Sequence, residues 1–556
     1  MDLALCLSRL DIRAVNRFHA ILIVLALWAA IFLPGLGSSE LKGEEGRRIL
    51  PAATMLETGN WLVPYVSGKP FLRKPPLVNW AIAGAFKLYG TRNEWSARLP
   101  SVLSMLILAL AIVAVSGKGE WMNVETALVA AILLLTQVAT LDKGRLAEIE
   151  AIYTALSGLA MLTWLAWWTE RRSPWLVWTV PFIFLGLAML AKGPMHLLFF
   201  YAIVICVAWK AREWKSLCHP AHLVGIALMI GIFLAWLIPY RHDPATLEAS
   251  QVWQHQMAGR LTGKFDFVGW ITNIPRGLTD HLPWLLLVLV LWRKDIEGLG
   301  ARNAAVFRAV RFGVLACFFG LLILPGILPR YTLPLLTPFS LLLATALADS
   351  RLTPPSGYLR AWWRANQVLS IVLLVAACVA PVVLTIVLSR TTHQLPSDRL
   401  GDFSESLVWP LLGSGGAAIL CLVVFVGRMR LARPALIATA SGALVAAGMF
   451  VFNSSALPIL KQHDSLRPMA QTIDEAIPAG ETLYICDSDY QPAVFYLRTP
   501  YRYVEEENDV PREARWVLAR PDRGRHSLKD AWPDFEVESE FSPRSLQKAV
   551  LLRRKS

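Results

Sequence analysis

The chain has 556 residues, of which 55% are hydrophobic and only 17% charged, and it carries a net charge of +13. A soluble protein of this length has about a quarter charged residues, so the composition excludes an ordinary water-soluble enzyme. The cations lie between apolar runs rather than in one patch, so the excess positive charge does not point to nucleic acid.

In chain order, apolar runs able to cross roughly 30 Å of hydrocarbon fall near 19–36, 97–117, 122–140, 147–168, 174–191, 194–210, 221–240, 280–293, 312–328, 332–348, 366–389, 407–427 and 433–453. That makes about thirteen spans, with two adjacent pairs hard to separate. Arginine and lysine concentrate in alternate loops. Arg9, Arg13 and Arg17 precede the first run, and further groups occur at Arg171–Arg172, Lys210/Arg212/Lys215, Arg293/Lys294/Arg302/Arg308/Arg311, Arg351/Arg360/Arg364 and Arg428/Arg430/Arg433. The positive-inside rule places these loops and the N-terminus in the cytoplasm, and an odd number of spans leaves the C-terminal tail outside. No small-residue cleavage site follows the first run, which reads as a retained span. The expectation is an α-helical, multi-pass protein of the inner (plasma) membrane. Seven cysteines are scattered without metal or disulfide spacing and read as small buried hydrophobes.

The first outer loop, 37–96, is neither a short turn nor a soluble domain. It holds the adjacent acids Glu44 and Glu45, then Arg47 and Arg48, Trp61, and a basic corner Arg73-Lys74-Pro75-Pro76. Charges held beside hydrocarbon are costly, which makes such a cluster a candidate site. Helices are expected over 44–57 and 76–89, lying along the outer interface. Residues 1–350 form the module with nearly all the unusual polar groups, 351–455 add plainer spans, and 456–556 form a small α/β domain. In that last part LRPMAQTIDEAI has helical spacing, while GETLYICDSD, RWVLARP and KAVLLRR read as strands.

Four more odd-numbered loops carry polar groups to the same outer face. They contain Asp142, Lys143, Arg145, Glu148 and Glu150; Lys192; His255 and Arg260; and Arg330 with Tyr331. Cations from several segments at headgroup level suit a phosphate or pyrophosphate. A carboxylate beside them suits a general base toward a hydroxyl. Together they describe attack on a sugar carbon whose leaving group is a lipid phosphate, since nucleotide sugars are absent outside the membrane. Each residue also has a plainer role: helix-start acids for Glu44, Glu45, Glu148 and Glu150, a snorkelling lysine for Lys192, an interface anchor for Arg330, and an aromatic belt for Trp61, Trp80 and Trp284. It is the convergence that favours a site.

At these residues the chain resembles the aminoarabinose-transferase and protein O-mannosyltransferase relatives of the GT-C glycosyltransferase superfamily. The acidic pair followed by arginine matches Glu44-Glu45-Gly46-Arg47, and the stretch from Ala52 through Met55-Leu56 and Gly59-Asn60-Trp61 to Pro64 follows the family pattern. The KPPL element is Lys74-Pro75-Pro76-Leu77, the T-K-G element is represented by Ala191-Lys192-Gly193, and the tyrosine-leucine-proline turn by Arg330-Tyr331-Thr332-Leu333-Pro334. The resemblance implies a GT-C fold of about thirteen transmembrane helices with a small extracytoplasmic C-terminal α/β domain. It implies a membrane glycosyltransferase that moves a sugar from a polyprenyl-phosphate donor to a lipid, glycan or protein acceptor. Glu44 takes the catalytic place, with Glu45 as the alternative catalytic acid. Glu150 is the second acid and Glu148 the alternative. Arg47, Lys74, Lys192, Arg260, Arg330 and Tyr331 are donor-site candidates. Two positions depart: glutamate replaces the usual first aspartate, and Arg73 stands where aminoarabinose transferases carry a glutamate beside which a metal binds. No cofactor is called, a divalent metal has no support in the sequence, and neither sugar nor acceptor is fixed. A flippase of lipid-linked sugars predicts midplane polar residues and repeat symmetry, neither of which the sequence has. A surface-polysaccharide polymerase or ligase would need neither the acidic first loop nor KPPL.

Overall fold

The computed structural model describes residues 16–66, 68–117, 122–247, 251, 253, 267–292, 296, 299–322, 328–349, 352, 357–392, 413–419, 421, 434–457, 465–486, 492–504, 507–520, 532–542 and 548–555. The helices in chain order are α1 (Arg17–Phe32), α2 (Gly46–Thr58), α3 (Leu77–Tyr89), α4 (Glu94–Ala114), α5 (Val124–Leu135), α6 (Val138–Lys143), α7 (Ile149–Thr169) and α8 (Pro174–Lys192). They continue with α9 (Met195–Ala211), α10 (Pro220–His242), α11 (Phe267–Thr279), α12 (Ala301–Leu322), α13 (Leu336–Leu347), α14 (Gly357–Thr392), α15 (Pro434–Val451) and α16 (Leu466–Ala476). Strands are β1 (Tyr65–Val66), β2 (Lys69–Pro70), β3 (Leu483–Cys486), β4 (Tyr501–Val504), β5 (Trp516–Ala519), β6 (Phe535–Phe541) and β7 (Ala549–Arg554). Two compact units emerge. One comprises 1–36, 101–238 and 250–459, the other 37–100, 239–249 and 460–556.

The first unit is helical. Among the described residues six helices, α4, α7, α8, α10, α12 and α14, are long and apolar enough to cross a membrane. Four shorter apolar helices accompany them. The expected span at 280–293 is not one straight helix: α11 and a 3-10 stretch, Trp284–Trp292, meet at a bend of 87°. The run at 332–348 is a 3-10 turn, Pro329–Leu335, followed by the 12-residue α13, because Pro334 lacks the N–H a longer helix would need. The run at 122–140 breaks after Leu135 and restarts at Val138. Most of 407–427 lies outside the described residues.

Helix α7 is the axis of this unit, with 94% of its apolar window buried. Trp164 stacks on Trp168 at 5.7 Å and meets Trp178 edge-on at 5.8 Å, which locks α7 to α8. Gly158 lets α7 approach α13: a Cβ there would come within 2.4 Å of Thr337 Oγ1, the small-residue contact common between membrane helices. By contrast α10 and α14 expose rows of leucine, isoleucine and valine, such as Leu223 and Val368. Those faces suit hydrocarbon. Of the described cysteines, Cys317, Cys421 and Cys486 are buried, whereas Cys206 is half-buried and Cys218 and Cys378 are exposed.

The second unit gathers the 37–100 loop and the C-terminal segment. Helix α2 covers the stretch expected at 44–57 and α3 that expected at 76–89. Both end on glycine in the left-handed region, Gly59 at φ 72° and Gly90 at φ 76°, a common helix stop. The five-stranded sheet has the order β4-β3-β5-β7-β6. Strand β3 runs parallel to β4 and β5, while β7 is antiparallel to β5 and β6. The apolar runs of β5 and β7 fill the sheet centre, and β6, FEVESEF, takes an edge with three glutamates. The expected strands at 483–486, 516–519 and 549–554 are present, whereas β4 and β6 carried too weak a pattern to be read.

Candidate functional site

In the second unit the acidic pair separates into two environments. The Arg98 fork grips Glu45, with Nε on Oε1 at 2.7 Å and Nη2 on Oε2 at 2.8 Å. The same guanidinium donates to the carbonyl oxygens of Ser39 and Glu40, each at 3.0 Å, and Glu45 Oε2 also accepts the Lys42 N–H at 2.8 Å. Glu45 is wholly buried and Arg98 nearly so. This bidentate, charge-assisted pair uses both carboxylate oxygens and fixes the loop backbone. Glu44 differs: its side chain is 37% exposed and meets Arg47 Nη1 at 3.3 Å. Glu44 is the more accessible acid.

The basic corner precedes α3. Arg73 is exposed and Lys74 half-buried in the turn ahead of Pro76, the N-cap of α3. Arg48 is buried over the Phe71 ring at 5.1 Å, and its carbonyl accepts the Asn79 side-chain N–H at 2.9 Å.

In the first unit a second charged group forms where three elements end. Glu150 lies in the first turn of α7, Lys192 is the last residue of α8, and Arg330 and Tyr331 sit in the 3-10 turn before α13. Lys192 Nζ donates to Glu150 Oε1 at 3.1 Å, with the two side chains 9% and 6% exposed. Arg330 Nε stands 4.0 Å from the same oxygen and is 35% exposed. The Lys192 ammonium also lies over the rings of Tyr331 at 5.0 Å and Tyr153 at 5.2 Å, an aromatic cradle that favours the cation. Tyr153 follows Glu150 by three residues on α7 and so shares its face. Gly193, at φ 102°, ends α8 directly after the lysine, in a conformation a side-chain-bearing residue rarely adopts.

Glu148 belongs to a separate pair. Its carboxylate accepts from Lys143 Nζ at 3.2 Å, and Asp142 lies 3.5 Å from the same ammonium. Burial alone would lower the Lys143 pKa, but Glu148 and Asp142 overcome it and hold the group above its ordinary value. Glu150 rather than Glu148 therefore shares the group of Lys192, Arg330 and Tyr331. With two cations and one carboxylate that group is net positive, and its exposed member is Arg330. Such an arrangement can receive an anion. His255 and Arg260 lie outside the described residues. No cluster of three metal-ligating side chains occurs among the described residues.

Comparison with known proteins bears on this geometry. Residues 73–238 match the family described as dolichyl-phosphate-mannose-protein mannosyltransferase, a stretch that contains Lys74, Glu150 and Lys192. That match covers less than a third of the chain. Along the sequence it is 25% identical over 339 residues to an undecaprenyl phosphate-alpha-4-amino-4-deoxy-L-arabinose arabinosyl transferase of Pseudomonas savastanoi pv. phaseolicola. It is 28% identical over 303 residues to the protein so named in Erwinia tasmaniensis. These matches cover 60% and 52% of this chain, and span 62% and 52% of those relatives. In structure it is similar to ArnT from Cupriavidus metallidurans, crystallised with undecaprenyl phosphate, at a TM-score of 0.67 and 18% identity over 96% of this chain and 97% of that one. The fold is therefore shared with that protein over nearly the whole length.

Several site-forming residues escaped sequence reasoning. Arg98 stood at the head of an apolar run, and a charge so placed was itself a signal. Tyr153 looked like one more aromatic in a span. Glu40, Glu94, Arg467 and Tyr496 carried no motif, because their roles depend on pairing across about four hundred residues of chain.

Proposed function

We propose that this chain is an integral membrane glycosyltransferase that moves a sugar from a polyprenyl-phosphate donor to an extracytoplasmic lipid, glycan or protein acceptor. The observation that carries the reading is the net-positive group of Lys192, Arg330 and Tyr331 around Glu150. It is built at the ends of α7 and α8 inside a family-matched segment and completed by the turn before α13. The relatives named above act, by their names, on an undecaprenyl-phosphate-linked aminosugar, and the structural neighbour was crystallised with undecaprenyl phosphate. A lipid phosphate suits cations placed at helix ends, where charge is affordable beside hydrocarbon.

In the reaction, a carboxylate takes the proton of the acceptor hydroxyl as that oxygen bonds to the anomeric carbon. The bond from that carbon to the phosphate oxygen breaks, and the phosphate leaves with the electron pair. Glu44 is assigned the base because Glu45 is committed to Arg98. Lys192, Arg330 and Tyr331 are assigned to the leaving phosphate, and Lys74, Arg47 and Arg260 are further donor contacts. Glu150 holds Lys192 in place and balances part of its charge. The topology that goes with this reading has about thirteen spans, a cytoplasmic N-terminus and an outer C-terminal α/β part. Residues 1–350 make up the catalytic module and 351–455 additional spans. No metal is assigned.

The test is lipid mass spectrometry of membranes from cells with and without this protein. The expected result is accumulation of one polyprenyl-phosphate sugar together with loss of one glycan modification. Identical lipid profiles in the two strains, with the protein expressed in the control, would refute the reading.

A further inference from the structure

The segment that carries Glu44 is held from two sides within the second unit. On one side is the Arg98 fork described above. On the other, Glu40, only 4% exposed, lies at the start of α16. Its Oε2 accepts the backbone N–H groups of Ser465 at 3.1 Å and Leu466 at 2.9 Å, and its Oε1 accepts that of Arg467 at 2.6 Å. One residue on, the Leu41 N–H donates to the Tyr496 hydroxyl at 3.0 Å, and that hydroxyl donates to Glu94 Oε1 at 2.9 Å. Arg467 pairs with the same Glu94 carboxylate and lies over the Tyr496 ring at 5.4 Å.

Each of these contacts is the kind that fixes backbone rather than decorates a surface. A helix start offers orphan N–H groups and the positive end of its dipole, and a carboxylate satisfies both. Glu40 does so with two oxygens, so an amide in its place would turn an NH2 toward N–H donors. The Tyr496 hydroxyl both donates and accepts, passing the hold of Glu94 on to the backbone of Leu41. Packing supports the same join. Phe86 of α3 stacks on Phe495 at 6.3 Å, and a Cβ on Gly68 would come within 3.0 Å of Tyr503 Cβ in β4. A base must sit within hydrogen-bond reach of its proton, so freedom in 41–45 costs turnover before it costs binding.

We infer that Glu40, Glu94, Arg467 and Tyr496 are positioning residues, through which the C-terminal segment braces the 37–45 loop and holds Glu44 in its working place. This rests on the reading of Glu44 as the base. A loop so braced also gives the C-terminal α/β part a role in turnover rather than in solubility alone.

The test uses the full-length protein in nanodiscs, as wild type, Tyr496→Phe and Glu40→Gln. Tyr496→Phe removes one oxygen and keeps the ring that Arg467 and Phe495 pack against, so it guards against misfolding in the glutamate variant. Amide exchange is read over Leu41–Glu45, and binding is read with undecaprenyl phosphate. Turnover is measured with lipid extracted from cells lacking the protein as the donor source. In Tyr496→Phe, exchange at Leu41–Glu45 is expected to quicken about tenfold or more. Turnover is expected to fall about tenfold, with KM and undecaprenyl phosphate affinity within about twofold of wild type. Unchanged exchange in both variants overturns the brace. Faster exchange with unchanged turnover overturns the positioning role. A wild-type protein with no turnover overturns the functional reading instead, and the exchange arm then decides the brace alone.

Discussion

Replacing Lys192 by methionine tests whether its charge serves a ligand or only Glu150. The two groups meet at 3.1 Å with side chains 9% and 6% exposed, so little water screens them. At an effective dielectric of about 20 their attraction is about 5 kcal/mol, much of it offset by desolvation. Removing Lys192 leaves a buried carboxylate that still faces Arg330 at 4.0 Å, so the loss stays at or below the roughly 3–5 kcal/mol of a fully broken buried pair. Lys192→Met alone should therefore lower the melting temperature in detergent by several degrees. The double variant Lys192→Met/Glu150→Gln removes both charges and should recover most of that loss, with a coupling energy of about 2 kcal/mol or more. Undecaprenyl phosphate binding should behave differently, staying about tenfold or more weaker in both the single and the double variant because a charge-assisted contact is gone. If the double variant binds undecaprenyl phosphate as wild type does, Lys192 is not a phosphate ligand and its role ends at Glu150. If Lys192→Met melts like wild type, the ion pair does not carry the load ascribed to it.

Glu44→Gln should cut turnover by roughly a hundredfold or more with lipid binding retained, whereas Glu45→Gln should mainly lower the melting temperature by leaving Arg98 half-paired; the reverse pattern would move the base to Glu45. Reporter fusions after Leu460 should give an extracytoplasmic signal, and a cytoplasmic one would invert the topology. Burial, then the Glu94 charge, hold the Tyr496 phenol above its ordinary pKa, so the folded state keeps a proton that the unfolded chain loses above about pH 10. Stability from this group is complete below that pH and falls as pH rises further. Melting curves of wild type and Tyr496→Phe taken from about pH 8 to 11 should converge at the alkaline end, and parallel curves would exclude that contribution.

The membrane class, the long helices and the charged 37–96 loop were legible because each rests on a local property. Hydropathy over about twenty residues marks a span, and two acids before Arg47 are visible without any partner. Spans that depend on where a backbone breaks were not legible. Leu282 and Pro283 sit at the elbow between α11 and the following 3-10 stretch, and nothing in an apolar run announces an 87° turn. In the site, Glu150, Lys192, Arg330 and Tyr331 were named from loop parity and family pattern, but their pairing was not. Lys192 was expected to meet a donor phosphate or to snorkel, and the structure sets it on Glu150 between two tyrosines. The division of labour between Glu44 and Glu45 was equally hidden, since it depends on Arg98, fifty-three residues away.

The same device recurs in both units. In each, one ion pair is sealed, Glu45 with Arg98 and Glu150 with Lys192, and beside it stands a charged side chain left more than one third exposed or close to it, Glu44 and Arg330. A sealed pair contributes little net stability once desolvation is counted, but it is costly to break. That cost makes it a good register mark for a loop with little apolar content of its own. The exposed neighbour can then exchange its partner for a ligand without unfolding the loop that bears it. On this argument the sealed charges set position and the exposed ones meet the reactants. Swapping roles within either pair of neighbours should therefore cost more than deleting the exposed member alone.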